Sequence, residues 1–371
     1  MPAPGMATAN STGTHRQPSF RRPRPARLNM ARRLIAALLA AAPAPAAAAV
    51  PEAAPGAAYG PELEGFSYPY PVASYRFPSQ RQTLRMAYMD VRPDRPNGRV
   101  AVLLHGKNFC AATWEATIGV LSRYGYRVIV PDQIGFCKSS KPAAYQFSFQ
   151  QLARNTHDLL DSLGIRQATL IGHSTGGMLA IRYALMYPAA THQLVLVDPI
   201  GLEDWKARGV PSRSVDQWYA HELRTSADSI RQYEIQTYYA GQWRDGYEKW
   251  VQMLAGLYRG PGRAAVAWDS ALLYDMIYTQ PVVYELGALR VPTVLMIGDK
   301  DRTAIGKDAA PPDVRAQIGN YPALGHAAAQ AIPHATLVEF PDLGHSPQLQ
   351  DPSSFHDALL KALDNAPSPA P

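Results

Sequence analysis

The chain has 371 residues, 47% of them apolar, which suffices for one large domain with an insertion or for two domains. Its net charge of +6 comes from a leader: residues 1–49 carry seven arginines, no lysine and no acid, and the remaining 29 basic and 30 acidic residues leave a net charge of −1. That balance removes the electrostatic case for a nucleic-acid partner.

Residues 1–29 are too rich in Pro, Arg, Ser and Thr to form a core. Arg32-Arg33 then precede an apolar run, Leu34 to Ala42, and a Pro/Ala-rich stretch reaching Val50. A charged start, a short apolar centre and an Ala-x-Ala zone read as a signal segment over 30–49, so the mature chain is expected to begin near Val50, exported to the periplasm or beyond. The run is too short for a membrane span, which needs about 20 apolar residues. Residues 50–71, with repeated Pro and Gly, are expected to form an extended arm, and residues 366–371 a disordered tail.

Between them, strand-like runs alternate with helical ones. The strands are expected at Leu84–Val91, Arg99–Leu104, Arg127–Val130, Ala168–Ile171, Gln193–Val197, Thr293–Ile297 and Thr336–Phe340. The helices are expected at Thr113–Tyr124, Phe149–Leu163, Gly177–Tyr187 and Pro352–Leu363. The alternation predicts an α/β fold, a mostly parallel sheet with helices on both faces, built from residues 72–199 and 288–365. In such sheets ligands bind at the carboxyl ends of the strands. The pattern breaks over 200–287, which holds five of the six tryptophans, nine of the twenty tyrosines and no convincing strand. This stretch reads as a helical cap whose aromatics mostly pack it down, with a minority facing an apolar substrate. Cys110 and Cys137 fall in loops expected at one sheet edge, where they either pair, as suits an exported protein, or stay as two small buried thiols.

The chemistry centres on Gly172-His173-Ser174-Thr175-Gly176, a G-x-S-x-G turn between an apolar strand and a helix. The flanking glycines let a crowded turn lift the serine oxygen above the sheet edge. A nucleophilic serine needs a base and a group that orients the base. His345, in the loop between the last strand and the last helix, is placed as the base; His326, His334 and His356 lack that placement. For the acid, Gly298-Asp299-Lys300-Asp301 follows a strand and puts Asp301 first, with Asp198, at the end of the preceding strand, and Asp299 as competitors. The backbone N–H groups of Lys107, in the His105-Gly106 turn, and of Thr175 are the candidate oxyanion donors. His105 and His173 are expected to brace loops, Asp158 to be structural, and Asn108 either to face the pocket or to stabilise its turn. No phosphate loop, zinc spacing or dinucleotide fingerprint occurs, so neither metal nor cofactor is expected.

These residues, together with Pro131-Asp132-Gln133-Ile134-Gly135 and Lys138-Ser139, resemble the α/β-hydrolase fold superfamily over about residues 75–365. The order nucleophile, acid, histidine is that of the family. The resemblance implies Ser174 as nucleophile, Asp301 as orienting acid, His345 as base, and Lys107 with Thr175 as oxyanion donors. Serine at 174 argues against the members that use an aspartate nucleophile. Two departures stand out: Cys137 sits where the family usually has Gly, and the Arg302–Ala331 loop is longer than usual. The implied function is an exported, esterase-like serine hydrolase acting on a small molecule with an apolar acyl or alcohol part. The alternatives are C–C bond hydrolysis or amidase and aminopeptidase chemistry with the same triad, a cofactor-free haloperoxidase or perhydrolase, and a non-catalytic binding module.

Overall fold

The computed structural model describes residues 55–365; the expected leader, its signal segment and the 366–371 tail lie outside the described residues. The strands are β1 (Val72–Ser79), β2 (Gln82–Val91), β3 (Val100–Leu104), β4 (Arg127–Pro131), β5 (Ala168–His173), β6 (Thr191–Val197), β7 (Thr293–Gly298) and β8 (Ala335–Phe340). They form one sheet in the order β1-β2-β4-β3-β5-β6-β7-β8. β3 to β8 run parallel, while β2 pairs antiparallel with both β4 and β1.

The parallel strands are nearly continuous apolar runs because both faces are covered. In β3, Ala101 and Leu103 point to one face and Val102 and Leu104 to the other, in the two-residue period of a strand. On one face lie α1 (Glu115–Arg123) and α11 (Pro352–Asp364), whose Ile118, Leu121, Phe355 and Leu359 pack with Val195 and Met296. On the other lie α2 (Phe149–Ser162), α3 (Thr175–Met186) and α9 (Tyr321–Ala331), packed with Leu170, Leu196 and Ile297. α2 starts where expected because the Ser148 hydroxyl caps it, accepting the Gln151 N–H at 3.1 Å.

Residues 200–287 contain α4 (Val215–Glu222), α5 (Ala227–Thr237), α6 (Glu248–Arg259) and α7 (Arg263–Thr279), and no strand. α8 (Pro312–Gln317) and α10 (Pro347–Gln350) are short. No helix among the described residues is long and apolar enough to cross a membrane.

Three features differ from expectation. Residues 55–71 are not an arm ahead of the domain: Tyr59, Leu63 and Phe66 are buried in the main core, and the Tyr59 N–H bonds the Gly256 carbonyl of α6 at 2.9 Å. β1 was not anticipated, because it is an edge strand with mostly exposed side chains. The stretch after Asp301 is not one long loop: α8 and α9 occupy it, and α9 is the crossover helix between β7 and β8. Cys110 and Cys137 are joined in a disulfide, the first of the two alternatives.

Candidate active site

β5 ends at His173, and the chain turns into α3 through Ser174, whose φ of 56° and ψ of −119° lie in a region that L-residues avoid. The turn is possible because the residues two before and two after Ser174 are glycines. A Cβ at Gly172 would collide with the Gly176 carbonyl, and one at Gly176 with the Leu104 carbonyl. Both glycines are therefore steric requirements of the elbow.

Three strand ends then converge. His345 Nε2 lies 2.8 Å from Ser174 Oγ, and His345 Nδ1 lies 2.6 Å from Asp301 Oδ2. Since Asp301 Oδ2 accepts, Nδ1 carries the proton and Nε2 is left to accept from the serine hydroxyl. The second Asp301 oxygen accepts the Thr303 N–H at 2.8 Å, which fixes the carboxylate plane. Asp301 and His345 are fully buried and Ser174 is 5% exposed. Asp198 stands beside them but does not join the chain. Its Oδ1 accepts the Gly298 N–H at 2.9 Å, and burial, then the charge of Asp301, holds its carboxyl well above the usual range. Asp299 and the other candidate histidines stay out of the cluster: His326, on α9, is exposed beside Glu339, and His356, on α11, bonds Thr117 at 3.0 Å.

The two histidines expected as braces are braces. His173 Nε2 donates to the His345 carbonyl at 2.7 Å, tying the elbow to the histidine loop. His105 accepts the Gln133 N–H at Nε2 and donates from Nδ1 to the Gly106 carbonyl. Burial holds His173 well below the usual imidazole range and lowers His105, so both stay neutral and directional.

The His105-Gly106-Lys107 turn rests on the elbow, for a Cβ at Gly106 would stand 3.0 Å from both Ser174 Cβ and His173 Nδ1. Among the described residues, neither the Lys107 nor the Thr175 N–H donates to another protein group. Thr175 directly follows Ser174, and Gly106, just before Lys107, packs against it. The Cys110–Cys137 bridge anchors the far end of this loop to the loop after β4. Cys137 has a φ of 43°, the left-handed conformation that favours glycine, which is the physical content of its departure from the family pattern.

The cap closes over the site. The Tyr238 ring lies 5.0 Å from the His345 imidazole and 5.5 Å from Phe109, and its hydroxyl accepts from Asn108 Nδ2 at 2.9 Å. Asn108, for which two roles were open, thus faces the cap. Beside Asn108 lies a cavity of roughly 500 Å³ that Ser174, Asp301 and His345 do not line; Trp218, Tyr233, Tyr258 and Tyr274 and the charged groups Arg213, Glu222, Lys307 and Asp308 do. Tyr238 and the charged lining have no local signature, so sequence reasoning marked the cap but not these residues. Among the described residues, two clusters each bring three potential metal-ligating atoms within 4.8 Å. In one, the sulfurs of Cys110 and Cys137 are bonded to each other beside Asp132. In the other, Asp301 and His345 are bonded to each other beside Asp198.

Residues 101–352 match the family described as alpha/beta hydrolase fold, and the chain belongs to that family. Among solved structures it is similar to a probable hydrolytic enzyme from Pseudomonas aeruginosa PAO1, 65% identical, with a TM-score of 0.82 over 83% of this chain and 98% of that one. Among curated proteins it is similar to the 2-hydroxy-6-oxononadienedioate/2-hydroxy-6-oxononatrienedioate hydrolase of Comamonas testosteroni, 32% identical over 142 residues, which are 38% of this chain and 50% of the relative. It is also 25% identical over 283 residues to Lipase 3 of Moraxella sp. (strain TA144), covering 72% of this chain and 80% of the lipase. The chain thus spans about half the length of the Comamonas relative it matches.

Proposed function

We propose that the protein is an exported serine hydrolase that cleaves an ester or related acyl bond through an acyl-enzyme on Ser174. The observation that carries this reading is the buried hydrogen-bond chain Asp301–His345–Ser174 at the end of the strained elbow. His345 Nε2 takes the Oγ proton as Oγ attacks the carbonyl carbon. The Lys107 and Thr175 N–H groups receive the oxyanion, each donor of this kind being worth about 10²–10³ in kcat. The tetrahedral adduct collapses, and the leaving alcohol takes the proton from His345. Water, deprotonated by His345, then attacks the acyl carbon and releases the acid and Ser174. Asp301 accepts from His345 Nδ1 and so holds the imidazole in the tautomer and orientation that these transfers need.

The cavity beside Asn108 supports a small or medium acyl or alcohol part with apolar character, held among Trp218, Tyr258 and Tyr274. The disulfide supports export, since such bonds persist in oxidising compartments. Labelling with a fluorophosphonate and turnover of p-nitrophenyl esters test the reading. Ser174→Ala is expected to abolish both, and a Ser174→Ala protein with full ester turnover overturns it. A second reading, C–C bond hydrolysis of a diketone-like substrate by the same groups, is favoured by the name of the Comamonas relative. A panel pairing short esters with a 2-hydroxy-6-oxodienoate separates the two by kcat/KM.

A further inference from the structure

The side chain of Lys107 leaves the core and enters the cap. Its Nζ donates to Ser270 Oγ of α7 at 2.7 Å, lies 3.7 Å from Glu222 Oε1 of α4, and sits 3.6 Å from the centre of the Tyr274 ring. Glu222 is held in turn: its Oε2 accepts from Ser270 Oγ at 2.7 Å and from the Tyr258 hydroxyl of α6. The Lys107 and Glu222 side chains are 9% and 5% exposed. Three cap helices therefore converge on one core ammonium. The residue that carries it directly follows Gly106, which packs against Ser174, in a turn with no helix or strand to hold it.

A buried lysine is costly unless its charge is matched, and its long flexible stem gains nothing for a backbone donor alone. The pairing with Glu222 and Ser270 gives that stem one geometry, and the geometry of the stem restricts the peptide unit at its root. We propose that Lys107 is a positioning residue: its ammonium, clamped by Glu222 and Ser270, fixes the oxyanion-receiving N–H, so that docking of the cap and stabilisation of the transition state are coupled. This rests on the acyl-transfer reading above. Because Glu222, Tyr258 and Tyr274 also line the cap cavity, the clamp is the physical link between the part of the molecule that holds substrate and the part that receives developing charge. A misplacement of about 1 Å at such a donor costs roughly 10²-fold in rate.

The test uses the full enzyme and p-nitrophenyl butyrate. Lys107→Met, which matches the stem without the charge, is expected to lower kcat about ten- to a hundredfold while KM changes less than threefold. Glu222→Gln, which touches neither Ser174 nor the Lys107 backbone, is expected to lower kcat in the same sense. The double variant should lose no more than Lys107→Met alone, since both break one clamp. Lys107→Arg, which keeps a cation for Glu222, should recover part of the rate. An unchanged kcat in a folded Lys107→Met overturns the proposal, as does a raised KM at intact kcat, which would make the cluster a substrate contact only. Should Lys107→Met fail to fold, Glu222→Gln and Ser270→Ala decide, and an unchanged kcat in both overturns it. A wild-type enzyme that no fluorophosphonate labels overturns the acyl-transfer reading and this proposal with it. A labelled wild type with unaltered variants overturns this proposal alone.

Discussion

Asp301 and Asp198 end structurally adjacent strands, and an oxygen of each lies within 4.8 Å of a His345 ring nitrogen. Their hydrogen bonds separate them. Asp301 accepts from His345 and from the Thr303 N–H; Asp198 accepts one N–H and faces the charge of Asp301 in a fully buried site. Burial and the neighbouring charge hold the Asp198 carboxyl well above the usual range, and Asp301 is the carboxylate bonded to His345. Asp301→Asn is then expected to lower kcat by about 10⁴, because the amide reverses the tautomer of His345. Asp198→Asn keeps an acceptor for Gly298 and a neutral group beside Asp301, and is expected to retain kcat within about tenfold. Equal losses in the two variants would reassign the acid. This distinction was only partly legible beforehand: strand ends can be read from apolar runs, but the partners of a carboxylate depend on chain 100 residues away, as with Gly298 and Asp198. The elbow was legible from its glycines: a Cβ at Gly172 collides within the turn itself, and one at Gly176 collides with the end of the neighbouring β3.

α5 carries a second buried acid. Glu234 is fully buried, neither of its carboxylate oxygens finds a partner among the described residues, and burial pushes its carboxyl up to about 8. An acid raised on folding retains its proton where the unfolded chain has lost it. Stability therefore falls as pH rises from the ordinary carboxylate range near 4.5 to about 8, and is level above that. Glu234→Gln removes the ionisable group while keeping its shape. Its thermal midpoint is expected to match wild type near pH 4 and to exceed it at pH 9, as a stability difference on the order of a few kcal/mol opens across that window. A gap that is constant from pH 4 to pH 9 would place the carboxyl in water. At this scale the sequence was most legible where burial imposes a pattern. The seven expected strands lie within two residues of those observed, since each is an apolar run. β1 escaped because it is an exposed edge and because its hairpin turn, Gln80-Arg81, takes φ of 48° and 65° without the Asn-Gly that usually announces such a turn. α9 escaped because Pro322 and Gly325 disfavour a helix when read locally. Yet Pro322 sits in the first turn, and a Cβ at Gly325 would press to 3.0 Å against Ile297 of β7.

The whole molecule is held together by a segment whose composition reads as linker. Residues 55–71 contain no helix or strand, but they bridge the cap and the core. Toward the cap, Tyr59 fills space that a Cβ at Gly256 or Gly260 would claim, and Arg259 Nε donates to the Ala57 carbonyl at 2.7 Å. Toward the core, the Tyr68 hydroxyl donates to Asp132 Oδ2 at 2.6 Å, and Lys138 Nζ donates to the Leu63 carbonyl at 3.0 Å. Asp132 also receives the N–H groups of Ala111 and Lys138, so the strap ends on the same carboxylate that organises both cysteine loops. Burying Tyr59, Leu63 and Phe66 contributes about 1.5–3 kcal/mol each, before the entropy of ordering the segment is subtracted. A chain beginning at Val50 and one beginning at Val72 should therefore differ although both keep every strand of the sheet. The shorter one is expected to melt more than 5 °C lower. It should also lose a larger share of ester turnover than of fluorophosphonate labelling, because the cap is loosened while the Asp301–His345–Ser174 chain is left in place. Equal melting temperatures would show that the segment merely rests on the surface. A lower melting temperature with unchanged turnover would show that it stabilises the fold without holding the cap.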